Sequence, residues 1–391
     1  MKKVLCAVTV FAVLLSLCSC GGVPIVRELN ELLISEKHID WDGFSVEKPA
    51  DSGSKYKIYF DTLSEKQKKG YNNIFYSIMN AEDSFPERIE VPLMESKELT
   101  QVYEAVIYDN PEIMCFGKGA SIITEGELCF FEPEYTMIPE EFHRRISLLS
   151  ETSDKICSAF DEYTSEFERE LYIHDYIVKN CIYDCEKDDS GLAYSCLLCG
   201  YASCEGYSKA AKYLLEKAGI ECYNVLGDAE NLHGETESHM WNLVKIEDGY
   251  YYLDVTWDDP AEETGLVSHT YFNLTENEIR VDHSNFTALL PCTSNEANYY
   301  VKTGCLFYSA DYYDRIKMEN IIINCLENGQ NCVELRFADE NAYNSAVNTL
   351  ITESRAYEIQ TDIRYKYPHI KMSDEINYSK NEKYRIIELI F

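Results

Sequence analysis

From residue 204 to residue 218, apolar or aromatic side chains recur at Tyr207, Ala210, Ala211, Leu214, Leu215 and Ala218. That is the i, i+3, i+4, i+7 spacing of a helix with one buried face, and Gly219 supplies its stop. The same period predicts helices in "SEKQKKGYNNIFYSIMNAE" and "SKELTQVYEAVIYDNPEIM", and a long helical stretch from Pro139 to Asn180, in which Phe167, Leu171, His174 and Val178 share a face. Runs of β-branched and aromatic residues bounded by turn formers predict strands at "YKIYF" and "ERIEVPL". Further strands follow the helix at "IECYNVLG", "HMWNLVKI" and "YYYLDVTW". From about Asn298 the pattern reads strand, helix, strand, helix, strand: "YYVKTGCLFYS", "YYDRIKMENIIINCLE", "CVELRF", "NAYNSAVNTLITES" and "KYRIIELIF". Helices and strands mixed in this way define an α+β chain.

The breaks in the pattern divide the chain into a leader at 1–19, a tether at 20–55 containing "KPADSGSK", an N-terminal α/β domain at 56–138, a central domain at 139–291, and a C-terminal α/β domain at 298–391. The leader has a basic start, "MKK", and an apolar run, "VLCAVTVFAVLLSL", too short to span a bilayer comfortably. Leu17, Cys18 and Ser19 before Cys20 resemble a bacterial lipobox. The resemblance implies that Cys20 is lipidated and becomes the new N-terminus, so that the body is held at the membrane facing out of the cytoplasm.

Charge narrows the partners. Sixty-eight acidic residues against thirty-five Lys and Arg leave a net charge of −33, which argues against nucleic acid and anionic lipid headgroups as ligands. Sixteen cysteines are many for an exported chain; Cys6 and Cys18 precede the cleavage point, and the rest permit disulfides without specifying any. "CLLC", Cys196 to Cys199, has the spacing of a redox or zinc site, with "CIYDC" and His174 upstream as further ligands. No second C-x-x-C completes it, so no metal or cofactor is expected. Thirty-one tyrosines fall mostly in strand-like runs or on helix faces, where packing accounts for them.

Three residues in order carry candidate chemistry. Stepping back from Tyr207 by three positions reaches Cys204, which places its sulfur inward at the start of the helix, where first-turn amides and the positive helix end favour an anion. His239 opens the strand "HMWNLVKI", and Asp254 lies in the next strand-like run. A nucleophilic cysteine needs a base and a group that holds the base. If Glu247, Asp248 and Gly249 form a three-residue turn, simple register brings Asp258, not Asp254, nearer His239.

The stretches "GYASCEGYSKAAKYLLEKAGIECYNVLG" and "SHMWNLVKIEDGYYYLDVTWDDP" resemble the transglutaminase-like superfamily, with its Cys-Gly-Tyr-type helix start, His-x-Trp strand and Asp-x-Thr strand. The similarity extends to "YIHDYIVKNCIYD" and "TYFNLTENEIRVDHSNF". It implies a papain-like α+β core of a helix packed on antiparallel strands, flanked here by the smaller α/β domains. It makes Cys204 the nucleophile, His239 the base and Asp254 the residue that orients it. It implies attack on an amide of a protein or peptide substrate at the cell envelope, through a thioester resolved by water or by an amine. Leu198 occupies the position where papain-like enzymes carry an oxyanion-hole Gln, which leaves Tyr194 as a candidate second donor. Trp241 and Trp257 are candidate cleft walls. Members of the superfamily that have lost activity provide the alternative reading, a binding scaffold at the cell surface.

Overall fold

The computed structural model describes residues 9–14, 53–162, 165–231, 234–259 and 267–391. Cys20 and nearly all of the expected leader and tether lie outside them. No helix among the described residues is long and apolar enough to cross a membrane. The chain forms two compact units, one of residues 1–243 with 284–287, the other of residues 244–283 with 288–391.

In the first unit, an antiparallel sheet orders its strands Thr9–Leu14, Phe116–Glu125, Leu128–Tyr135, Ile89–Val91. Helices Glu65–Met79 and Ser96–Asp109 match the sequence periodicity. Both start in reciprocal capping boxes, Ser64 with Gln67 and Glu95 with Glu98. Their buried residues include Tyr71, Phe75, Val102 and Val106.

The segment "YKIYF" is not a strand: Ile58–Thr62 is a short helix. The reason is tertiary. The buried Asp109 carboxylate accepts hydrogen bonds from the backbone N–H groups of Tyr59 at 3.2 Å and Phe60 at 2.9 Å. Those are second- and third-position amides of the helix, which a local cap would otherwise satisfy.

The expected helical stretch from Pro139 is two helices, Pro139–Cys157 and Glu166–Asn180. Helix Cys204–Lys217 follows, its inward residues Tyr207, Ala210, Ala211, Leu214 and Leu215 all fully buried. Lys212, also buried, donates from Nζ to the carbonyls of Tyr56 at 3.0 Å and Cys222 at 2.8 Å, which ties the segment before Ile58 to this helix. The strands Cys222–Glu230 and Thr236–Ile246 come next in the chain.

In the second unit, the turn after Ile246 has two residues, Glu247 and Asp248, with Glu247 at φ 54°. Gly249 is already in the strand, so the three-residue turn behind the alternative register for Asp258 does not form. The C-terminal part of this unit is a four-stranded sheet, ordered Leu306–Phe307, Cys332–Phe337, Ile386–Ile390, Asn377–Asn381. Its first pair is parallel and the others antiparallel. Helices Tyr312–Glu327 and Arg355–Lys366 contribute Met318, Ile322, Ile359 and Ile363 to its core. The run "YYVKTGCLFYS", expected to be one strand, is a helical turn Tyr299–Lys302 followed by the two-residue strand Leu306–Phe307. The Asn298 side chain caps the turn through the Tyr300 amide at 3.2 Å, and Gly304 at φ 75° ends it.

Replacing Asp109 with Ala leaves two helical amides without their acceptor inside the protein, and is expected to lower stability by about 1–3 kcal/mol. Urea denaturation of the two proteins side by side measures the difference.

Candidate active site

Cys204 is the first residue of its helix and is 4% exposed. Three features hold it there. The backbone N–H of Ser203 donates to the Ser190 carbonyl at 2.9 Å, which lays the helix start on the loop before it. Gly206 sits directly over that loop: a Cβ there would lie 2.8 Å from the Ala202 Cβ and 3.2 Å from the Leu192 carbonyl oxygen, and closer still to the Ser190 carbonyl. The glycine of the "CEGY" motif is therefore a packing requirement, despite its cost inside a helix. One turn further on, the Ser208 hydroxyl is 2.8 Å from the Trp241 carbonyl and 2.9 Å from Asn224 Oδ1.

Asn242 donates back to the Ser208 carbonyl at 3.0 Å and to Asn224 Oδ1 at 3.2 Å. The helix that starts with Cys204 is thus fastened to the strand Thr236–Ile246 two and three residues from His239. His239 is buried, with its ring stacked at 5.9 Å and 23° on Trp241. Trp241 is 1% exposed; its indole packs edge-on against Phe286 at 5.1 Å, and a Cβ on Gly227 would lie 2.7 Å from it. Trp241 is a buried support for the His239 ring.

Asp254, in the second unit, follows the last residue of the strand Gly249–Leu253 and is fully buried. Its Oδ1 accepts the backbone N–H groups of Thr256 at 3.0 Å and Trp257 at 3.2 Å. Its Oδ2 lies 3.1 Å from Nε2 of His283, whose Nδ1 lies 2.8 Å from Oδ1 of Asp282. Asp282 in turn accepts hydroxyl hydrogen bonds from Tyr271 at 3.0 Å and Tyr384 at 2.9 Å. Burial acts to lower the His283 pKa, but the hydrogen bonds and charges of Asp254 and Asp282 outweigh it, and the net direction is up. Asp258, the alternative carboxylate, is also buried, and its Oδ1 accepts the Tyr271 backbone N–H at 2.9 Å while its main chain joins those of Asp254 and Ser268. It is built into the turn that follows Asp254.

Of the remaining candidates, Trp257 packs its ring 4.7 Å from His283 and 5.3 Å from Tyr271. Tyr194 lies under the Arg145 guanidinium at 5.1 Å. Cys196 and Cys199 lie in one five-residue π-turn, the first buried and the second exposed. His174 is a core histidine, fully buried with Nδ1 3.2 Å from its neighbour Asp175. The described cysteines are all free thiols. Burial pushes Cys157 and Cys325 up to about 11 and Cys115, Cys222 and Cys332 higher. His283 went unnoticed in the sequence because "VDHSN" has neither a catalytic spacing nor a strand long enough to announce itself; only the adjacent Asp-His pair marks it.

Residues 155–255, which include Cys204, His239 and Asp254, match the model of the transglutaminase-like superfamily. No curated protein matches the chain. Among solved structures, the chain is similar to one described as a TGase, at 14% identity and TM-score 0.27, over 45% of this chain and 52% of that one. It is similar also to a candidate cysteine protease from Cytophaga hutchinsonii, at 13% identity and TM-score 0.25, over 46% and 64%. A third is a candidate protease from Parabacteroides distasonis, at 14% identity and TM-score 0.22, over 33% and 29%. The chain thus spans 52% of the length of the first of these structures.

Two outcomes follow. Gly206→Ala forces the helix start off the Ser190–Leu192 loop and is expected to cost about 1–3 kcal/mol, read by thermal denaturation. The raised His283 pKa contributes stability that is complete below its ordinary value of about 6.5 and is lost as pH rises through the raised value. The stability difference between the native protein and His283→Gln is therefore expected to be largest below His283's ordinary pKa and to shrink as pH rises above it, as followed by urea denaturation across pH.

Proposed function

We propose that the transglutaminase-like domain carried over residues 155–255 is a cysteine amidase or acyltransferase, with Cys204 as nucleophile, His239 as base and Asp254 as the residue that orients it. The observation that carries this reading is the clamp between the helix that begins at Cys204 and the strand that bears His239, made by Ser208, Asn224 and Asn242. A buried polar network of this kind holds a nucleophile and a base in one arrangement.

The reaction runs in two halves. His239 takes the Cys204 thiol proton, and the thiolate attacks the carbonyl carbon of an amide, whose oxygen becomes an anion that the Cys204 backbone N–H can bind. The C–N bond then breaks; His239 protonates the leaving amine, and a thioester remains on Cys204. Water, or an amine, gives its proton to His239 and attacks the thioester carbon, which releases the acid or the new amide and returns the thiolate. Asp254 steadies the imidazolium formed in each half. Water at about 55 M wins this second step unless it is excluded, so amide hydrolysis of a peptide or protein is the proposed outcome. The same reading places the body outside the cytoplasm, tethered by lipid on Cys20, a proposal supported by the "LSLCSC" junction.

Alkylation with iodoacetamide near neutral pH tests the nucleophile. Cys204 is expected to react well ahead of the exposed Cys199 and of the buried thiols whose pKa burial raises, and His239→Ala should remove that lead. Equal rates at Cys204 and Cys199 would instead favour an inactive binding scaffold. With reactive protein in hand, peptides and a labelled primary amine distinguish the second step: new termini without label mean hydrolysis, and Cys204-dependent incorporation means transfer.

A further inference from the structure

His283 stands outside the residues that match the superfamily model, yet it is fully buried between two aspartates. Both ring nitrogens face carboxylate oxygens, Nε2 toward Asp254 at 3.1 Å and Nδ1 toward Asp282 at 2.8 Å. A neutral imidazole has one N–H and one lone pair, and the lone pair would then point at a carboxylate. Both aspartates are committed as acceptors: Asp254 to the Thr256 and Trp257 amides, Asp282 to the Tyr271 and Tyr384 hydroxyls. Burial foremost, with the neighbouring Asp282 among the other causes, holds both tyrosines far above their ordinary pKa, so that they keep their protons and donate. The arrangement is satisfied when the imidazole carries two protons, and the Trp257 ring packed 4.7 Å away suits a cation.

We infer that His283 is a positioning residue for the reaction, an imidazolium shared by Asp254 and Asp282 that fixes the Asp254 carboxylate, with Tyr271 and Tyr384 fixing Asp282 behind it. This rests on the proposed role of Asp254. Tyr384 belongs to the turn between the last two strands of the C-terminal sheet, Asn377–Asn381 and Ile386–Ile390. The C-terminal part of the chain, which the sequence marks only as an α/β module, thereby takes part in the site through Tyr384, Asp282 and His283. Two carboxylates and one imidazolium carry a net charge of −1. Asp254 therefore keeps negative charge for a second imidazolium, while the pair repulsion that two buried carboxylates would otherwise suffer is removed.

The test is the rate of Cys204 alkylation by iodoacetamide as a function of pH, on the full chain, for the native protein, His283→Gln and Tyr384→Phe, each first shown to be folded by its melting curve. His283→Gln is expected to slow alkylation at neutral pH by more than about tenfold and to displace the midpoint of the pH curve. Tyr384→Phe removes one hydrogen bond to Asp282 and is expected to slow it about two- to tenfold. A purely structural His283 would lower the melting temperature and leave the alkylation curve in place; curves that overlay that of the native protein overturn the inference. Should His283→Gln fail to fold, Tyr384→Phe decides by the same comparison. A native protein whose Cys204 reacts no faster than Cys199 overturns the nucleophile reading itself, so the two failures are told apart.

Discussion

The arrangement of the first unit depends on a buried hydrogen-bond hub at Asn224. Its Oδ1 accepts from Ser208 of the cysteine helix and Asn242 of the histidine strand, its Nδ2 donates to the Tyr108 carbonyl at the end of helix Ser96–Asp109, and its own carbonyl accepts the Tyr59 hydroxyl at 2.8 Å. Four segments distant in the chain meet on one fully buried residue. Such a group is costly to bury unless every lone pair and proton is used, so the hub admits one arrangement of those segments. The positions of Cys204 and His239 follow from it.

The second unit treats Asp254 in the same way. Two amides hold one oxygen and an imidazole the other, and the imidazole is held in turn by an aspartate that two tyrosines anchor. In each place a candidate group is fixed by a second layer that lies far away in sequence. The N-terminal helices reach the cysteine helix through Asn224, and the C-terminal sheet reaches Asp254 through Tyr384. The flanking regions therefore supply hydrogen-bond partners to buried groups of the central segment, and their removal would leave those polar groups without partners.

Much of this was legible in the chain. The periodicity over 204–218 located the cysteine helix and its buried face, and the helix Tyr312–Glu327 and the strand Cys332–Phe337 were both visible in their own patterns. The glycine in "CEGY" was recognisable as part of a motif, although the reason for it, the Ser190–Leu192 backbone beneath, was not. Errors fell where a specific side-chain cap, distant in one case and adjacent in the other, outvoted strand composition. "YKIYF" has strand composition and becomes a helix because Asp109 caps it, and "YYVKTGCLFYS" breaks after a turn capped by Asn298. The choice between Asp254 and Asp258 stayed open in the sequence because hairpin register and the motif pointed to different carboxylates.

By itself, the sequence determined which elements form where apolar spacing is strong, the charge that disfavours nucleic acid, and the three residue types, in order, that make a cysteine reaction conceivable. Those properties depend on neighbours within a few positions, and a chain displays them before it folds. Only the tertiary structure decided that Asn224 joins four segments, that Asp258 is built into a turn, and that a histidine beyond the motif lies against Asp254. Each of these is a hydrogen bond between groups that share no periodicity, and its worth comes from exclusion of water, which exists only once the core has closed.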